Sequence, residues 1–257
     1  MSNDRQTDIG GAGAAFLTTH WSLIGDIQAG DTKDRAMIGL LLERYWKPIY
    51  CYLRRRGYDN EQAKDLTQGF FHEVVLNRNL VQRADPSKGR FRSFLLHALN
   101  QYVINENEKQ AASKRIPADR LVSWEVADPP ALPSAVQESD PQTCYNYAWT
   151  SALMDRILET VRIACCDEGL ETHWQVFHEK VVQPILQGVA PPSMSDLCER
   201  YGIKDPRQAS NMIVTVKRRF RVTLREHIRT TVLTEEQVDD ELREILGFLP
   251  QAAQDLE

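Results

Sequence analysis

The sequence predicts an all-α protein made of two helical domains joined by a proline-rich linker. Three observations lead there. Apolar residues recur at three- and four-residue spacing through most of the chain, as at Ala209, Met212, Ile213, Val216 and Phe220, which puts them on one side of a helix. Alternating runs of β-branched and aromatic residues, the mark of a strand, are scarce. Five prolines, Pro117, Pro129, Pro130, Pro133 and Pro141, crowd into residues 116–141 with an acidic bias, the composition of a tether.

The bulk numbers agree. A chain of 257 residues exceeds one typical domain, and 42% hydrophobic residues suffice for real cores. The net charge of −5 is unlike a protein that holds DNA alone by neutralising phosphates. The five cysteines, Cys51, Cys144, Cys165, Cys166 and Cys198, are odd in number and form no Cys-x-x-Cys pair, so neither a zinc site nor a disulfide framework is expected. A reducing cytoplasm fits them best. The first residues lack the basic start and apolar core of a secretory signal, and no run reaches the length of a membrane span. Residues 1–17, rich in Gly and Ala, read as a loose tail.

Taken in order, residues 18–29 read as a short helix capped by Thr18 or Thr19, with Trp21, Ile24 and Ile27 on its apolar side. A turn at Gly30-Asp31 precedes a helix over 34–56, with Leu40, Leu41, Tyr45 and Ile49 inward; Pro48 should kink it or mark a junction. Gly57 ends it. Asp59 or Asn60 caps a helix over 61–78 whose core side is Ala63, Leu66, Phe70 and Val74. Residues 77–90 form a polar loop with turn chemistry at Asp85-Pro86 and Gly89. A helix over about 91–113 follows, with Phe91, Phe94, Leu95, Ala98, Tyr102 and Val103 inward. After the linker come helices over 142–167 (Trp149, Leu153, Ile157) and 171–187 (Trp174, Phe177, Val181). Pro191-Pro192 breaks the chain before "SMSDLCERYG" and "ASNMIVTVKRRFRVTLREHIR". Thr234 and Gln237 read as a capping box for a last acidic helix, 235–248.

Three constellations stand out. The first is a helix, a glycine turn at Gly202 and a second helix with a basic outer face, the pattern of a helix-turn-helix reader. Ser193 caps the first helix with Asp196 reciprocating; Asp205 caps the second, and Pro206 suits its first turn. Arg207, Gln208 and Asn211 are the residue types that pair with guanine and adenine edges, and Val214 suits a thymine methyl. Thr215 shares that outer face. Lys217, Arg218, Arg219 and Arg221 suit phosphates. Residues 196–230 hold nine Lys/Arg against four Asp/Glu, the local surplus expected of a groove binder; a solvated basic face is the plain alternative.

The second constellation is the outer face of helix 61–78, with Glu61, Asp65, Gln68 and His72: a solvated surface, or a docking patch for another helix. The third is "SKGRFRSFLLHALNQYVINENEKQAASKR" (87–115). There Arg90, Arg92, Lys109, Lys114 and Arg115 frame a helix offering Asn100, Gln101, Asn105 and Asn107. Basic groups, amides and aromatics together suit a strand-separated nucleic acid. Phe94 and Leu95 read as ordinary core, and Phe91 stays open. No catalytic residue, metal site or cofactor is expected: His173 and His178 do not share a helix face, Cys165-Cys166 suits packing, and no nucleophile motif or phosphate loop occurs.

In this order the pieces resemble a bacterial RNA polymerase sigma factor of the extracytoplasmic function class. The residues that carry the resemblance are "LLERYWKPIYCYLRRRGYDNEQAKDLTQGFF", "ADPSKGRFRSFLLHALNQYVINENEKQAASKR" and "SMSDLCERYGIKDPRQASNMIVTVKRRFR". The flanks "TTHWSLI" and "VDDELREIL" look like a long variant with an acidic C-terminal extension. The likeness spans about 18–248, and its most specific motif is A-x-D-L-x-Q-x-F-F at 63–71.

The resemblance implies a non-enzymatic promoter-specificity subunit. Residues 18–115 would be a region 2-like domain, 116–141 the linker and 142–230 a region 4-like domain. Asp65 and Gln68, with Glu61 and His72 on the same face, would dock on the clamp helices of core polymerase, and region 4 on its flap. Loop 82–90 and the start of helix 91–107 would capture the opened minus-ten element, and 206–221 would read the minus-thirty-five element. The partners would be core RNA polymerase and promoter DNA, with an anti-sigma factor as a further candidate, no membrane, and a monomeric free state. Sharing affinity with the polymerase would accommodate the acidic net charge. Residues 231–257 hold eight Asp/Glu against one Arg and are expected to fold back on the basic helix and weaken DNA binding. The rival reading is a stand-alone helix-turn-helix regulator with an N-terminal helical dimerisation domain.

Overall fold

A computed structural model describes residues 24–25, 28, 35–77, 80–112, 140–187, 189–232 and 234–249. The expected tail 1–17, the caps Thr18 and Thr19, Trp21, Ile27, the turn at Gly30-Asp31 and linker residues 116–139 lie outside them. The described elements are helical, with no strand among the described residues. They are α1 (Arg35–Arg55), α2 (Asn60–Phe70), α3 (Phe91–Ala112), α4 (Pro141–Asp167), α5 (Glu171–Phe177), α6 (Met194–Tyr201), α7 (Pro206–Arg229) and α8 (Glu236–Gly247).

In α1, Leu41, Tyr45, Ile49 and Leu53 recur every fourth residue and are fully buried. The helix runs through Pro48 without a break, so the expected junction is absent. The missing N–H removes one ladder bond to the carbonyl of Arg44, and the buried stripe on either side holds the helix together. Gly57, at φ 96°, turns the chain. Asp59 then caps α2 and forms a full capping box with Gln62.

The helix expected over 61–78 is α-helical only to Phe70; Phe71–Asn77 widens into π geometry. Phe70 and Phe71 are both buried, as are Val74 and Val75. Wider turns let two adjacent stripes reach the core where a regular helix would turn one away. At Gly69 a Cβ would overlap the Tyr102 hydroxyl, and Tyr102 is itself buried with its ring 5.7 Å from that of Phe70. Gly69→Ala is therefore expected to lower stability by about 1–3 kcal/mol through overpacking, although alanine favours helix. A urea midpoint equal to or above the parent's would contradict this.

The loop before α3 is held from beneath. Leu80, Val81 and Ala84 are buried, and the Gln28 amide donates to the carbonyls of Val81 at 2.9 Å and Ala84 at 3.0 Å. Asp140 caps α4, with Pro141 in its first turn. The last linker proline thus starts a helix, the position where a missing N–H costs nothing.

The N-terminal half of α4, read from sequence as part of the second domain, packs along α1. The Tyr145 hydroxyl donates to the Arg92 carbonyl at 3.1 Å. Its ring meets that of Tyr52 edge-on at 6.4 Å, and the Cys144 thiol points at the Cys51 carbonyl, 3.7 Å away. Burial pushes the Tyr45 hydroxyl up to about 12 at this seam, and the neighbouring Trp149 side chain opposes the rise. One continuous apolar core therefore runs from α1–α3 through α4 to α7 and α8. A small second cluster (Val176, Leu197, Ile203, Ala209 and Met212) lies under the helix-turn-helix. α5 continues through a π turn at His178–Val182 into Gln183–Gln187. The capping box expected at Thr234 and Gln237 is not formed: α8 begins with no side-chain cap, and the Gln237 N–H donates to the Thr234 backbone carbonyl at 3.2 Å.

Candidate nucleic-acid interface

α6 and α7 form a helix-turn-helix with the expected punctuation. Ser193 and Asp196 make a capping box, and Gly202 takes a left-handed φ of 61°. Asp205 accepts from the Gln208 N–H at 2.8 Å. Ala209, Met212, Val216, Phe220 and Leu224 are buried under α7. Glu179 of the π turn after α5 takes the Tyr201 hydroxyl at 2.5 Å and pairs with Arg200, which fixes α6.

The outer face of α7 is less uniform than its sequence. Arg207, Asn211 and Arg218 are exposed, with Val214 beside them. Gln208 is exposed, but its side-chain oxygen accepts from the Lys204 N–H at 3.2 Å. Thr215 donates its hydroxyl back to the Asn211 carbonyl at 2.9 Å. Lys217 is half-buried. Arg219 shares its guanidinium with Glu168 through two solvent-exposed bonds of 2.6 Å. That bond raises the Arg219 pKa and lowers that of Glu168. Glu168 lies 51 positions earlier in the chain, too far for a local pattern to signal.

On α2, Glu61 and Asp65 are exposed and Gln68 is half-buried, and His72 is exposed on the π segment that follows. Glu61 lies 3.4 Å from Lys64. Glu61, Asp65 and Gln68 follow helical spacing on α2, while His72 follows the change to wider turns.

The loop into α3 borders an open surface cavity of about 530 Å3 lined by Arg83, Lys88, Arg90, Ser93, Phe94 and His97. Asp85, at its edge, is tied to the Ser87 hydroxyl and N–H, which lower its pKa. Gly89, at φ 122°, supplies the bend into the helix. The volume lies in the range of small-ligand pockets, roughly 300–1,000 Å3, and basic groups around one aromatic face suit a phosphate joined to a stacked ring.

Of the two aromatics at the start of α3, the one the sequence leaves open is core, and the one read as core packs at the core's edge and also reaches the cavity. Phe91 is core, edge-on to Tyr45 at 5.7 Å, whereas Phe94 is half-buried and lines the cavity. His97, one turn beyond Phe94, escaped the sequence reading; its i+3 position relative to Phe94 was the available signal. The side-chain oxygen of Asn100 is already engaged, accepting from the Tyr52 hydroxyl and from Arg56 at 3.0 Å. Gln101 is exposed.

Arg90 and Arg92 are occupied. Glu241 and Glu244 of α8 each bridge both guanidiniums, the Arg92–Glu244 contact measuring 3.0 Å. Arg92 is 5% exposed and Glu241 1%, and the Trp149 ring lies 4.7 Å from the Arg92 guanidinium. Burial lowers the Arg90 pKa, and Glu241 opposes that drop. The acidic end does fold back on α7, through Arg225–Asp239 at 2.6 Å and Arg229–Glu235 at 2.7 Å. Its buried charges, however, go to the start of α3.

Among the described residues no group of three or more His, Cys, Asp or Glu could hold a metal ion, and no helix is long and apolar enough to cross a membrane. No protein-family model, curated protein or solved structure matches the chain.

Proposed function

We propose that the chain is a sigma-type specificity subunit, which binds core RNA polymerase and directs it to promoters bearing minus-ten and minus-thirty-five elements. The observation that carries this reading is the pairing, on one helical frame, of two different basic sites. The cavity at 83–97 has the dimensions and lining for an unstacked base and its phosphate. The helix-turn-helix presents Arg207, Asn211 and Arg218 on a capped, rigid helix, the geometry for a duplex major groove. A protein that meets single-stranded and duplex DNA at separate sites suits promoter opening. The exposed face of α2 suits docking on the polymerase. Two weak DNA contacts on one enzyme gain through effective concentration what an acidic chain lacks alone.

Run-off transcription with purified core polymerase on promoter fragments tests the proposal. New transcripts that require the chain are expected. Failure to bind core polymerase, combined with self-association and binding to palindromic duplex, would replace it with the stand-alone regulator.

A further inference from the structure

We infer that α8 is an intramolecular acidic plug, which imitates a nucleic-acid backbone and competes with single-stranded DNA for Arg90 and Arg92. The inference rests on reading the cavity at 83–97 as a nucleic-acid site.

The geometry makes the case. Glu241 and Glu244 stand one turn apart on α8 and offer two carboxylates in succession to two guanidiniums at the start of α3. Adjacent phosphates would present the same alternation, and guanidinium forks accept carboxylate and phosphate alike. Arg90 belongs to both settings: it lines the cavity and is held by the plug. With α8 in place, two cations that could serve a ligand are neutralised by the chain itself.

The attachment suits a reversible device. Val238, Leu242, Ile245 and Leu246 are buried under α8, so the helix docks as a unit. It starts with no side-chain cap, and its pairs to Arg225 and Arg229 are solvent-exposed contacts, a kind that contributes little. Buried ion pairs are weak sources of net stability because desolvation offsets attraction. A ligand that supplies its own negative charge to Arg90 and Arg92 therefore competes with these ion pairs, side chain for side chain, while the apolar underside of α8 (Val238, Leu242, Ile245 and Leu246) stays seated in the core.

The test measures anisotropy of a fluorescein-labelled single-stranded DNA of about twelve nucleotides, titrated with the full-length protein and with Glu241→Gln/Glu244→Gln, across a salt series. If the plug is closed about nine-tenths of the time, releasing it tightens binding about tenfold. Two freed phosphate contacts also steepen the slope of log affinity against log salt by about one to two. A change in folding alone would not move that slope. Measurable but equal binding by both proteins rejects the plug and leaves the nucleic-acid reading standing. No binding by either, at any salt, rejects the reading of the cavity and the plug with it. Should the double variant fail to fold by circular dichroism, Glu244→Gln, at a carboxylate 39% exposed, replaces it. A smaller gain in the same direction is expected, and unchanged affinity rejects the plug.

Discussion

Asp65→Ala combined with Gln68→Ala is expected to weaken binding to core RNA polymerase about a hundredfold, close to 3 kcal/mol, while the thermal midpoint stays at the parent's value. Asp65 is exposed and Gln68 half-buried on the outer face of α2, opposite Ala63, Leu66 and Phe70, which anchor the helix in the core. The Asp59–Gln62 capping box holds the start of α2 independently of both side chains. Their removal therefore takes two groups from a presented surface and none from the fold, and surface changes of this kind cost within about 0.5 kcal/mol. Binding is read by size-exclusion or anisotropy with purified core enzyme. Full-strength binding by the doubly substituted protein would sink the docking assignment on α2.

Trp149→Ala is expected to cost about 3–5 kcal/mol, a large share of the roughly 5–15 kcal/mol that holds a typical protein folded. Trp149 lies at the seam where α4 packs on α1. It is buried, stacks on the Arg92 guanidinium and meets the Tyr45 hydroxyl. Its loss leaves a cavity and removes the aromatic face from a buried cation. Because the apolar core is continuous from α1 to α8, the parent should unfold in one calorimetric transition, and the variant in one transition at lower temperature. Two separate transitions in the parent, with only one shifted by Trp149→Ala, would mean that the halves on either side of 116–139 fold independently.

Most of the helices and several of their caps were legible in the residues alone, while the box expected at Thr234 and the π geometry at 71–77 show where local spacing misleads. Period and capping are local properties. The stripe Leu41, Tyr45, Ile49, the cap at Asp59, the box at Ser193, the glycine turn at Gly202 and the stripe under α7 each depend on neighbours within one or two turns. The outer-face residues of α2 and the exposed Arg207, Asn211 and Arg218 were legible for the same reason. What stayed hidden depends on partners far along the chain. Periodicity shows that a face is apolar without saying what covers it, so α4 looked like a member of the second half until packing set it against α1. An arginine on a helix surface looks free until a distant carboxylate reaches it. Arg219 meets Glu168, and Arg90 and Arg92 meet Glu241 and Glu244 about 150 positions away. Phe91 and Phe94 share one helix start and one residue type, and only the direction from which Tyr45 approaches assigns one to the core and the other to the core's edge at the cavity. Local spacing thus carries the helices and their candidate surfaces; which charges those surfaces keep for a ligand is set by long-range contact, because pairing energy depends on distance in space and leaves no trace in sequence separation.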